Sequence, residues 1–89
     1  MEEVVYLNGA LVPRSQANVP VADYGFLYGY GLFETMRAYK GNIFLLDRHM
    51  QRLIKSAALL HMDSGLSAEK LAGACQETLR ANGLLEARV

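Results

Sequence analysis

The stretch DYGFLYGYGLFETMRAY, residues 23–39, decides how this chain is read. Gly25, Gly29 and Gly31 alternate with Tyr24, Phe26, Tyr28 and Tyr30, and a strand-like run then begins at Leu32. Glycine loses more conformational freedom on folding than any other residue, so such a cluster marks a tight turn or a close approach. Over residues 32–39 the side chains alternate, with Phe33, Thr35 and Arg37 on one face and Glu34, Met36 and Ala38 on the other. Two readings of the glycine–aromatic corner stay open. It is a sharp turn whose aromatics cap a core, or a wall against which a flat ligand lies.

Outward from this stretch the pattern is of mixed strands and helices. VVYLNGALVPRS, residues 4–15, reads as a hairpin about Asn8-Gly9, the favoured pair for a two-residue type I′ turn. Pro13 ends its second strand or marks an edge. Residues 16–25 read as a loop containing Pro20, and residues 26–31 as a short helical turn or bend. Lys40-Gly41-Asn42 is a tight turn, after which Ile43-Phe44-Leu45 returns as a short strand, so the first half is expected to be an antiparallel meander.

Residues 47–62 read as a helix, with Leu46, Met50, Leu53, Ala57 and Leu60 in one stripe and Asp47 suiting the N-terminal dipole. Met62, Asp63, Ser64 and Gly65 close it. Ser67 caps a second helix, Ala68–Ala81, whose inner side carries Leu71, Ala74, Cys75, Thr78 and Leu79. Asn82-Gly83 stops this helix, and LLEARV starts a further strand near Glu86. The fold class is therefore α+β, an antiparallel β-meander packed on two helices. A strand beginning so near Val89 is expected to belong to a longer protein.

Composition narrows the function. The chain has 89 residues, 52% of them hydrophobic, with nine basic and nine acidic side chains. This suits one small domain with a modest core. No basic block supports nucleic-acid binding, and no apolar run reaches the ~18 residues of a membrane span. The acidic Met1-Glu2-Glu3 start is wrong for a secretory signal. A single cysteine excludes an internal disulfide, and two histidines without paired cysteines make no metal cluster. A soluble, cytoplasmic protein is expected.

Arg52 lies off the apolar stripe, beside Ser56 and Leu59, with His49 at its shoulder. It is either a solvated arginine or an anion ligand whose planar fork suits phosphate or carboxylate. His49 is either an acid–base group or a packed helix residue. Lys40, Lys55 and Lys70 lack the apolar surroundings that lower an amine pKa for Schiff-base chemistry. Ser15, Ser56 and Ser64 have no histidine–carboxylate constellation. Cys75 sits on an apolar stripe and reads as core. Gly29-Tyr30-Gly31 precedes a strand rather than a helix, so it is no dinucleotide fingerprint.

Three ordered motifs carry a resemblance. They are YG-x-G-[LV]-FE over residues 28–34, R-x-Y-x-G over 37–41 and L-x-x-H-x-x-RL-x-x-SA over 46–57, preceded by YLNGALVP. Almost end to end, the chain resembles the N-terminal domain of the class IV (fold-type IV) pyridoxal-phosphate aminotransferases. That group includes branched-chain aminotransferase, D-amino acid aminotransferase and aminodeoxychorismate lyase. The resemblance implies that Arg52 binds the phosphate of pyridoxal 5′-phosphate. It implies that Tyr28 and Phe33, and by a looser match Phe26, line the substrate pocket. It also implies amino acid and 2-oxo acid substrates, and a homodimer.

The same likeness places the Schiff-base lysine, the acid facing the pyridine nitrogen and a substrate-binding loop beyond Val89. Residues 1–89 are then an N-terminal small domain, inactive alone and holding no catalytic residue. Tyr30 replaces the usual small or acidic residue between two glycines and is expected to narrow or redirect the pocket. A branched-chain aminotransferase is the leading expectation. The alternatives are an aminodeoxychorismate lyase, eliminating pyruvate to give p-aminobenzoate, and a non-catalytic module binding an anion or a partner.

Overall fold

Two glycine-containing turns organise the strands. The structure, a computed structural model, describes residues 2–62 and 65–89. Met1, Asp63 and Ser64 lie outside the described residues, and with them part of the segment expected to close the first long helix. Strands β1 (Val4–Leu7) and β2 (Ala10–Pro13) pair antiparallel, with Leu7 opposite Ala10. Asn8 and Gly9 both have positive φ, 50° and 89°, as a type I′ turn requires. A short 3₁₀ turn, Arg14–Gln16, follows.

A five-residue helix α1 (Tyr24–Tyr28) then forms within the opening stretch. The Asp23 carboxylate accepts from the Gly25 N–H at 2.8 Å, and Gly29 ends the helix at φ 68°. These bonds explain two of the three glycines. A Cβ on Gly25 would meet Asp23 Oδ2 at 2.8 Å, and Gly29 holds a left-handed conformation.

Strand β3 (Arg37–Tyr39) turns through Lys40 and Gly41, again both at positive φ, into β4 (Asn42–Ile43). Helices α2 (Leu46–Leu59) and α3 (Ala68–Ala81) follow, and β5 (Ala87–Arg88) returns to pair with β3. The α+β class stands, but the strands divide between two antiparallel sheets, β1-β2 and β4-β3-β5, rather than running in one meander. The third strand of the second sheet comes from the far end of the chain.

The run expected over residues 32–39 has regular strand geometry only at its end, because a ladder needs a partner. Met36 exchanges both backbone bonds with Val89 at 2.8 Å, and β3 continues from there. The side-chain alternation nevertheless begins earlier. Phe33, Thr35 and Arg37 are exposed, whereas Met36 and Ala38 are buried and Glu34 is mostly covered. Ile43-Phe44-Leu45 is likewise shorter than expected, since Leu45 adopts a left-handed conformation (φ 55°) to begin α2.

The core consists of Met36, Ala38, Ile43, Met50 and Leu79, with Leu46, Leu53, Leu71 and Cys75 packed against it. Burying one such large side chain contributes about 1.5–3 kcal/mol, so a core this small depends on well-made element ends. Both long helices end in Schellman geometry. At α2 the Met62 N–H reaches the Ala57 carbonyl and His61 takes the left-handed position (φ 57°). The helix thus stops at Leu59, short of residue 62. At α3 the Leu84 N–H reaches the Leu79 carbonyl, with Gly83 left-handed at φ 65°.

Asn82 adds a tie of its own. Its Oδ1 accepts from the Val4 N–H at 2.9 Å, while Nδ2 donates to the Val4 carbonyl at 3.0 Å and the Thr78 carbonyl at 2.8 Å. One amide thereby stands in for a missing strand partner and fastens the β1-β2 hairpin to α3. Replacing Asn82 with alanine is expected to lower stability by about 1–3 kcal/mol. Asn82→Asp, which sets a carboxylate oxygen against the Val4 and Thr78 carbonyls at the C-terminal end of α3, should lose at least as much. Urea unfolding of the three proteins checks this ordering, and a loss for Asn82→Ala under ~0.5 kcal/mol would contradict it.

Candidate functional site

The pleat aims Glu34 inward, on the face that also carries Met36 and Ala38. A carboxylate sent toward a core is costly unless it meets donors. It meets them on α2, where positions 49 and 52 lie one turn apart on one face. Arg52 Nε donates to Glu34 Oε2 at 2.8 Å and Nη2 to Oε1 at 2.5 Å, a two-point fork. His49 Nδ1 lies 2.6 Å from Oε1. With the carboxylate ionised, Nδ1 must carry the proton and donate. The 3.4 Å contact between Arg52 Nη2 and the same Nδ1 is then a donor facing a donor and holds nothing together.

Exposure differs across this cluster. The Glu34 side chain is 10% exposed and that of His49 21%, but that of Arg52 is 65% exposed. Arg52 is thus not a freely solvated arginine, although most of its side chain is exposed. Its inner edge is bound by Glu34, and among the described residues nothing accepts from its Nη1 group. That outward edge, cationic and planar, has the donor chemistry to bind a phosphate or a carboxylate. The hydrogen bonds from Arg52 and His49 hold the Glu34 carboxyl far below the usual range, at about 2, and Glu34 in turn raises the Arg52 guanidinium further.

A second bond ties the glycine corner to the same helix. The Tyr30 hydroxyl donates to the Leu60 carbonyl, one of the free acceptors past the end of α2. Residues 30 and 34 are thus each tied by a side chain to α2 or to its C-terminal end. Tyr30, expected to alter a pocket, has its hydroxyl engaged in this tie.

The remaining candidates lie at the surface. Phe26, Tyr28 and Phe33 are 71%, 73% and 86% exposed. Tyr24 and Tyr28 meet edge to face, their ring centroids 5.5 Å apart. None of the three bonds to Arg52, Glu34 or His49, so the structure assembles the Glu34–His49–Arg52 cluster and leaves the aromatics exposed at the surface. The apolar groove between β1 and α3, lined by Val4, Tyr6, Leu71, Cys75 and Val89, lies elsewhere and includes none of them. Cys75 is half-buried and its thiol is pushed up by desolvation, as a packing residue's should be. Lys40, Lys55 and Lys70 are exposed, and Ser64 lies outside the described residues.

Sequence reading missed Glu34. The signal was present in the alternation itself, which put a carboxylate on the face of Met36 and Ala38. Among the described residues no metal-binding group of histidine, cysteine and acidic side chains exists, and no helix is long and apolar enough to cross a membrane.

The family described as "Amino-transferase class IV" matches residues 31–89. A Methanocaldococcus jannaschii protein provisionally named a branched-chain-amino-acid aminotransferase is 45% identical over 85 residues, covering 96% of this chain and 30% of that protein. The crystal structure of the Thermoproteus uzoniensis branched-chain aminotransferase with norvaline superposes with a TM-score of 0.89 at 40% identity, over 97% of this chain and 30% of that one. A T.th. branched-chain amino acid aminotransferase, solved with pyridoxamine 5′-phosphate, gives 0.91 at 33% identity, over 99% of this chain and 30% of its own. The chain thus spans about 30% of the length of these relatives.

The Glu34 cluster has a pH signature. A carboxyl whose folded pKa lies below its unfolded one stabilises the fold above the unfolded value, and that contribution is lost as pH falls through the folded value. Glu34 should therefore help at neutral pH and fade between pH 4.5 and about 2. Carboxyl-carbon NMR should show Glu34 still ionised at pH 3.5, a pH between those two values. Glu34→Gln should flatten the acid limb of the stability–pH curve. An NMR midpoint near 4.5 would contradict the clamp.

Proposed function

Since the chain belongs to the class IV amino-transferase family, we propose that it forms the small N-terminal domain of a pyridoxal-phosphate-dependent aminotransferase. The substrates in this reading are a branched-chain amino acid and a 2-oxo acid. The observation that carries it is the Arg52 guanidinium, gripped along its inner edge and open along its outer one. The similarity to enzymes named for branched-chain amino acids, one of them solved with pyridoxamine 5′-phosphate, supports both cofactor and substrate class.

Each residue of this chain has a bounded part. Arg52 binds the cofactor phosphate with its free N–H groups, where charge-assisted bonds are about twice as strong as neutral ones. Tyr28 and Phe33, with Phe26 beside them, form one side of the substrate pocket, excluding water and contacting an apolar substrate side chain. When bound, pyridoxal phosphate supplies the electron sink for the amino-group exchange. Schiff-base chemistry needs a desolvated amine, and Lys40, Lys55 and Lys70 are all exposed. In this reading another part of the polypeptide supplies such a lysine, and residues 1–89 alone are inactive.

The exposed aromatic wall also supports assembly. Side chains this apolar are covered in the working protein, by the rest of the polypeptide and by a second copy in a homodimer. A cytoplasmic setting, where thiols stay reduced, suits the unpaired Cys75.

The polypeptide as its gene encodes it, purified with pyridoxal phosphate, should retain the cofactor's visible absorbance through dialysis and transaminate branched-chain amino acids. Arg52→Ala should bind the cofactor roughly 10–100-fold more weakly. Failure to take up cofactor would overturn the reading. Release of pyruvate and p-aminobenzoate from aminodeoxychorismate would move the protein to the lyases.

A further inference from the structure

A phosphate-binding arginine works only if its fork arrives in the right plane. Arg52 has a long side chain with many rotamers to lose, and at 65% exposure little packing restrains it. What restrains it is Glu34. The carboxylate takes Nε and one Nη2 hydrogen together, which fixes both the direction and the plane of the guanidinium. The carboxylate is itself fixed. It is 10% exposed, it stands on the core face of the chain ahead of β3, and its Oε1 is braced by His49 at 2.6 Å. Tyr30 pins the start of the same segment to Leu60. Of the donors left over, the outer Nη2 hydrogen and one Nη1 hydrogen therefore run parallel and point away from Glu34.

We propose that Glu34, braced by His49, is the positioning residue that presents the outer edge of Arg52 to the cofactor phosphate. This rests on the phosphate-binding reading of Arg52. It runs against simple charge counting. A carboxylate near a phosphate repels it, so on Coulomb grounds alone removing Glu34 would tighten phosphate binding. The repulsion acts across the width of a guanidinium whose own positive charge lies between the two anions and offsets it. The loss of orientation acts on every bond the guanidinium makes, so orientation dominates.

The two effects have opposite signs, and two substitutions separate them. Glu34→Gln removes the charge and weakens the fork. Glu34→Asp keeps the charge but is one methylene too short to hold Arg52 and His49 at once. The measurement is the affinity of the encoded polypeptide, in its cofactor-free form, for pyridoxal phosphate and for pyridoxal, by equilibrium dialysis. Pyridoxal shares the aldehyde and ring and lacks the phosphate. Circular dichroism and Tm establish that each variant is folded, and Glu34→Asp serves if Glu34→Gln is not.

Both variants should bind pyridoxal phosphate roughly tenfold more weakly while pyridoxal changes by less than about twofold. In an Arg52→Ala background, Glu34→Gln should add no further loss, since the residue it acts through is gone. Unchanged or tighter binding of pyridoxal phosphate by Glu34→Gln would overturn the proposal. So would an equal loss for pyridoxal, or a loss persisting without Arg52. If Arg52→Ala itself left pyridoxal phosphate binding unchanged, the phosphate reading would fall first, and the role of Glu34 with it.

Discussion

The Glu34 carboxylate accepting from Arg52 and His49 is the interaction on which the site depends. A chain this short buries few side chains completely, and its second sheet has only three short strands. Packing alone would leave the glycine corner loosely attached. The ion pair joins the segment ahead of β3 to the middle of α2, and the Tyr30 bond joins the same segment to the end of α2. Two polar ties thus do what a larger hydrophobic interface does in bigger domains. The same ties that hold the corner against the helix decide where a cationic edge and an aromatic wall face outward.

This arrangement explains why polar and apolar groups fall where they do. Glu34 is covered because donors satisfy it, and Arg52 is exposed because only half of its fork is used. Phe26, Tyr28 and Phe33 stand uncovered on the opposite side of the pleat from Met36 and Ala38 or on the short helix before it. Such exposure is costly for a free-standing domain and ordinary for one wall of a larger site. The glycines divide by function in the same way. Gly25 makes room for the Asp23 cap and Gly29 provides a left-handed stop, whereas at Gly31 a side chain would meet open space.

Local signals in the sequence were readable where the physics is local. Asn8-Gly9 forms its type I′ turn, Ser67 accepts from the Lys70 N–H at 3.1 Å, and α3 runs over Ala68–Ala81 as its stripe and caps indicate. The alternation from Phe33 to Ala38 survives even where no ladder bonds form. What was not readable depends on distant partners. The pairing of β3 with β5 joins residues some fifty positions apart, and without it a meander is the natural reading. The end of α2 rests on His61 in a left-handed conformation, for which histidine gives only a weak signal. The Glu34–Arg52 pair needs the pleat direction and the helix face at once. Each was legible alone, but their meeting belongs to the folded chain.

Family resemblance singled out Arg52, and the structure adds how that side chain is held. A single crystal structure of the encoded polypeptide loaded with pyridoxal phosphate tests the account most directly. The account places the phosphate on the Nη1 side of Arg52 while Glu34 remains on Nε and Nη2. A phosphate held by other groups, with the Arg52 guanidinium swung away from Glu34 into solvent, would contradict it.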